Sequence, residues 1–233
     1  RREEYRVVRE RVENREPRAR QLPYAQAVER APAVDFSSYR PPRPSFLGNR
    51  VFEDFPLAEL VDTIDWTPFF ITWELAGKFP AILEDEKVGS QARELYSDAQ
   101  AMLRRIVDEK LITASATVGF WPAARVGADD IARYADESRG DPIATLHHLR
   151  QQTEKPNGKP NLSLADFVAA ADSGIEDYVG GICVTAGHGV EQLAGEFEQA
   201  HDDYSAIMLK ALADRLAESF AEHLHRLVRR ELG

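Results

Sequence analysis

Between Glu191 and Leu232 the sequence runs for about forty residues without a proline, and that stretch limits the folds open to the chain. Phe197, Tyr204, Met208, Ala211, Phe220, Leu224 and Leu227 mark one apolar face at helical spacing. An unbroken helix of that length would be roughly 60 Å long, so a bend or break is expected near His201 or Asp202.

The middle of the chain has a different period. "ATVGFWPA", "DDIARYA", "PIATLHHL" and "DYVGGICVT" are short β-branched or aromatic runs separated by Gly, Asp, Pro and Asn clusters, and each is a strand candidate. The connector between Tyr134 and Ile143, "ADESRGDP", is short and turn-rich enough for a hairpin, so part of the sheet is expected to be antiparallel. Earlier, Leu95, Ala99, Met102, Leu103, Ile106 and Val107 form one stripe of a helix over about Ser90 to Lys110. Residues 1 to about 20 also read as helical. Residues 31–48, with Pro32, Pro41, Pro42 and Pro44, read as a connector. Helices, then strands, then a long helix predict an α+β fold.

A hydrophobic content of 43% is ample for one substantial core. The net charge of −10 is uneven: residues 1–50 carry twelve Arg against seven Asp or Glu, which leaves −15 for residues 51–233. An acidic body disfavours nucleic acid as a partner. There is no run of eighteen apolar residues and no basic-then-apolar leader, so no membrane partner is expected and the chain reads as cytoplasmic. The single cysteine, Cys183, excludes an intramolecular disulfide and sits in an apolar run, where it reads as core.

Several motifs point to chemistry and then fall short. "GGICVTAGHGVEQ" imitates a dinucleotide loop, but position 192 is Gln where a third glycine is needed, so Gly187-His188-Gly189 reads as a glycine turn into a helix. His147, His148, His201, His223 and His225 have no spacing that brings them to one face, and no metal site is expected. On the last helix Asp214, Glu218 and Glu222 form a ladder at four-residue spacing, flanked by Lys210 and Arg226. It reads either as a solvated stripe or as an acidic surface for a cationic or hydrogen-donating partner.

"TIDWTPFFITW", residues 63–73, sets one carboxylate among two tryptophans and two phenylalanines. A carboxylate there either caps local backbone or awaits a cation. Thr67 followed by Pro68 reads as an N-cap and first helical position of a helix running to Gly77. That start leaves Asp65 without a local task.

The blocks "IDWTPFFITWELAGKFPAILED", "GFWPAARVGADDIARYADE", "LHHLRQQTEK", "LADFVAA" and "QAHDDYSAIMLKALADRLAESFAEHLH" together resemble the activation domain of cobalamin-dependent methionine synthase, in order over about residues 55–232. The resemblance implies a curved antiparallel sheet with flanking helices and a long C-terminal helix. It also implies a reactivation module in a methyltransferase: reductive methylation of cob(II)alamin with S-adenosylmethionine as methyl donor and a flavodoxin-type electron donor. Cobalamin is held by an upstream domain of the same enzyme, from which residues 1–50 lead as helix and Pro/Arg-rich linker into an activation domain over 51–233. Zinc belongs to other modules. Asp65 matches the aspartate that contacts the amino group of S-adenosylmethionine, Asp214 and Glu218 match carboxylates facing the cobalamin domain, and Lys78 is a candidate for interdomain charge contacts. No catalytic residue is implied.

In one respect the sequence departs from the family pattern. No tyrosine here is followed by proline, so the family's Arg-x-x-x-Gly-Tyr-Pro element is missing from these residues. A C-terminally incomplete domain is therefore expected, inactive alone and binding S-adenosylmethionine weakly or not at all. The same departure leaves open an alternative, a non-catalytic docking domain that caps a cobalamin domain or binds a flavoprotein.

Overall fold

The structure, a computed structural model, describes residues 20–232 together with Tyr5, Arg6 and Arg9. Apart from those three residues, the helix expected before residue 20 lies outside the described residues. In chain order the elements are α1 (Tyr24–Glu29), β1 (Gly48–Phe52), a 3-10 helix (Leu57–Thr63), α2 (Thr67–Thr72), α3 (Gly89–Asp108), β2 (Thr113–Val126), β3 (Asp130–Arg133), β4 (Ala144–His147), β5 (Asp177–His188), α4 (Val190–Gln199) and α5 (Asp203–Leu227). The fold is α+β, with an open antiparallel sheet and a long C-terminal helix, as expected. All four strand candidates are strands. β1 is an addition at the edge of the proline-rich connector.

The chain divides into two compact units, Pro44–Phe120 with Gly180–Gly233, and Arg1–Arg43 with Trp121–Val179. In the first, β1 pairs antiparallel with the beginning of β2, from Gly48 opposite Phe120 to Phe52 opposite Ala116. The core is built from Leu60, Phe69, Phe70, Leu103, Ile106, Met208, Leu212, Leu216 and Phe220, each at most 2% exposed. The α3 stripe is buried as expected, with Val107 packed at its margin.

The break in the last helical stretch falls where it was expected. His201 adopts a left-handed φ of 58°, and the Asp202 side chain then accepts the Ser205 N–H at 3.0 Å to cap α5. Gly189, with φ 93°, makes the turn from β5 into α4, so the glycine-turn reading of the dinucleotide-like stretch holds.

In the other unit β3 lies between the end of β2 and β4. Ile131 stands opposite both Arg125 and Leu146, and both pairings are antiparallel. The hairpin expected between Tyr134 and Ile143 is therefore present. The guanidinium of Arg150 is buried against Asp166 at 2.6 Å and Asp129 at 2.7 Å. Tyr24 on α1 donates its hydroxyl to Asp129 Oδ2 at 2.6 Å, and Leu22 N–H bonds to Gln152 O at 2.7 Å, which ties residues 20–30 into this unit.

Three local expectations are corrected. α2 stops at Thr72 instead of Gly77, because Glu74 turns left-handed at φ 59° and Leu75 N–H folds back onto Phe70 O. Cys183 is exposed, not core: Ile182 and Val184 pack on the core, and the alternation of a strand sends the residue between them to the opposite face. Lys210 pairs with Glu198 at 2.8 Å rather than with the carboxylate ladder, whereas Arg226 does bond Glu222, at 3.1 Å.

Candidate functional site

Asp65 is the middle residue of the three-residue step Ile64–Trp66, where the chain leaves the 3-10 helix and enters α2. Ile64 and Trp66 are buried at 8% and 6% exposure, and Asp65 between them is exposed. Trp66 fixes this step in the core. Its ring meets Tyr96 at 5.0 Å and Phe69 at 5.4 Å, both edge to face, and Phe70 stacks on Phe79 at 6.2 Å. The aromatic density of the stretch is thus mostly core, and it gives the one carboxylate a rigid base.

The carboxylate also has a local task, contrary to expectation. Asp65 Oδ1 accepts the Thr67 N–H at 2.9 Å. Thr67 is not the N-cap: that position belongs to Trp66, and Thr67 Oγ1 instead accepts the Phe79 N–H at 3.2 Å. The reason is geometric, since an Asp two residues ahead satisfies the orphan donor that a threonine cap would not reach. Asp65 Oδ2 has no hydrogen-bond partner among the described residues. One oxygen is therefore used to orient the group and the other is left without a partner among the described residues.

The remaining sequence-assigned residues are spread over neighbouring elements. Thr63 Oγ1 and Ser219 Oγ lie 2.6 Å apart, and Ser219 donates to Leu60 O at 2.5 Å, fastening the 3-10 helix to α5. This brings the Asp65 segment against the turn of α5 that carries Glu218. Glu218 is exposed and Asp214, one turn earlier, pairs with its neighbour Arg215. Lys78 is exposed beside Phe79, so the Phe79–Thr67 bond sets its segment at the start of α2. No direct bond joins Asp65, Lys78, Asp214 and Glu218 among the described residues.

Sequence reasoning missed two features. The buried Arg150 network draws on Asp129 and Asp166, and "SLAD" carried a signal for it: Ser163 and Asp166 occupy the two positions of a capping box, with Asp166 Oδ2 accepting the Ser163 N–H at 2.8 Å. Tyr204 bonding Asp98 across 106 residues had no local signal.

The site is thus an exposed carboxylate held by a backbone N–H on a frame of packed aromatics. The family described as the vitamin B12 dependent methionine synthase activation domain matches residues 56–233, and the chain belongs to that family. Among solved structures it is similar to the MetH reactivation domain bound to AdoHcy, with a TM-score of 0.84 and 49% identity over 91% of this chain. It spans 64% of the length of that solved chain. The family is a domain of methionine synthase, a methyltransferase. No helix among the described residues is long and apolar enough to cross a membrane.

Proposed function

We propose that this chain supports reductive reactivation in a cobalamin-dependent methionine synthase, with Asp65 as the residue that takes the amino group of S-adenosylmethionine. One observation carries the reading: Asp65 is exposed, oriented through Oδ1 by the Thr67 N–H, and its Oδ2 has no partner among the described residues. A carboxylate held in this way makes a charge-assisted bond to an ammonium with little further loss of freedom. The relative that is 49% identical is bound to AdoHcy, which carries the same amino acid moiety as the methyl donor.

When bound, S-adenosylmethionine supplies the methyl group for cobalamin remethylation, a step that also consumes one electron from a flavodoxin-type donor. The part of this chain is to bind and to orient. Asp65 holds the donor, while Asp214 and Glu218 present carboxylates to a cobalamin-binding domain and Lys78 makes a charge contact between domains. Residues 1–50 serve as the tether from that upstream domain and 51–233 as the activation domain, working in the cytoplasm. Zinc and the primary methyl transfer belong to other modules.

The test is Asp65→Asn in a complete enzyme. Reductive reactivation should be lost while primary turnover stays close to wild type, because a neutral amide cannot hold an ammonium equally well. Unchanged reactivation kinetics would refute the assignment.

A further inference from the structure

We propose that a cleft between α3 and the start of α5 is a receptor for an arginine side chain of a partner protein. The cleft has a volume of about 360 Å³. Leu75 and Leu95, each 6% exposed, form its apolar floor. Trp73 and Tyr204 form a wall, with ring centroids 5.1 Å apart and planes inclined at 57°. Glu94 and Asp98 stand four residues apart on α3, on one face of the helix, and both are exposed.

The charge at this cleft is unbalanced. Among the described residues no lysine or arginine lines it. Arg93, on the same turn of α3, is directed to the backbone oxygen of Leu83, and Lys210 on α5 is engaged by Glu198. Asp98 Oδ2 accepts the Tyr204 hydroxyl at 2.7 Å. Burial first, and then that bond to Asp98, push the Tyr204 hydroxyl up to about 12, so it remains a neutral donor. The second oxygen of Asp98 and both oxygens of Glu94 have no hydrogen-bond partner among the described residues.

Aromatic faces next to unpaired carboxylates favour a flat, weakly hydrated cation. A guanidinium meets both demands, stacking on an indole or phenol while its N–H groups fork onto carboxylates. An ammonium keeps its water more tightly and cannot stack. The net −15 of residues 51–233 favours a partner with a basic surface and steers its approach. The cleft uses none of the residues assigned above to S-adenosylmethionine, so the two readings stand or fall separately.

The experiment labels the three tryptophans of the 233-residue chain with 5-fluorotryptophan and follows them by fluorine NMR, assigned through single Trp→Phe variants. N-acetylarginine methylamide should shift the Trp73 signal saturably and leave Trp66 and Trp121 in place. The neutral isostere N-acetylcitrulline methylamide should not. The double variant Glu94→Gln, Asp98→Asn should weaken binding by about tenfold or more, with unmoved Trp66 and Trp121 signals showing that it is folded. Tyr204→Phe keeps the ring and releases Asp98, and should bind at least as tightly as wild type. The proposal is overturned by an absent or unsaturable Trp73 shift, by an equal response to the citrulline compound, or by undiminished binding in the double variant. Displacement of the arginine compound by S-adenosylmethionine would overturn it too, since the cleft would then belong to the methyl donor.

Discussion

The backbone N–H of Thr67 donates to Asp65 Oδ1 at 2.9 Å, so the carboxylate assigned to the ligand is also the group that orders the entry to α2. The two roles can be separated by substitution. An asparagine keeps an acceptor oxygen for Thr67 and loses the charge, whereas alanine loses both. Asp65→Asn should therefore leave stability within about 0.5 kcal/mol of wild type, and Asp65→Ala should cost about 1 kcal/mol. Urea unfolding of the two variants checks this, and equal losses would show that the turn does not depend on the acceptor.

Arg150 offers a sharper test of the fold. Its side chain is 1% exposed and bonds Asp166 through both terminal nitrogens, together with the carbonyls of Asn161 and Ala128. Asp166→Ala would leave a buried guanidinium short of its main partner, and should destabilise the unit containing Trp121–Val179 by about 3–5 kcal/mol. Hydrogen exchange of β3 and β4 amides reads that unit directly.

Acid should weaken the same unit. Glu137 is held down to about 2, first by the hydrogen bond from Arg43 and then by that from Tyr178. For Asp166 burial pushes upward, but the bonds from Arg150 and the Ser163 N–H outweigh it and the group ends below its ordinary value. Both carboxyls are thus more acidic folded than unfolded. Their contribution to stability is complete above the ordinary carboxylate range, and that of Glu137 is lost as pH falls from 4.5 toward about 2. Carboxyl-carbon NMR should find Glu137 titrating near the bottom of that window, and Arg43→Gln should move it upward.

Much of the fold was legible because the signals were local. The α3 stripe from Leu95 to Ile106 needs only helical spacing, and the strand runs end at glycine, aspartate or proline. The break at His201 and Asp202 was legible as excess length, and Asp202 is the residue type that caps a new helix. Other features depend on which face is covered, and an apolar run does not reveal that. Cys183 was misjudged for this reason, as it alternates with Ile182 and Val184. Thr67 was misjudged because two residues competed for one capping role, and the winner stood two positions earlier. Asp65 itself was singled out by an isolated carboxylate among aromatics, but its ligand came from the family resemblance rather than from the spacing.

Gly189 tests the turn that resembled a dinucleotide loop. Its φ of 93° lies where residues with a side chain are strained, and an added Cβ would stand 3.2 Å from Leu111 O. Gly189→Ala should cost about 1–2 kcal/mol. Thermal unfolding measures it, and a neutral substitution would mean that the β5–α4 turn relaxes readily.

The central claim is that Asp65 holds the amino group of S-adenosylmethionine. Equilibrium binding of S-adenosylmethionine to a complete enzyme carrying this domain, compared with its Asp65→Asn variant, tests it most directly. Loss of a charge-assisted hydrogen bond predicts a dissociation constant raised by roughly tenfold to a hundredfold. A dissociation constant equal in the two proteins would contradict the claim.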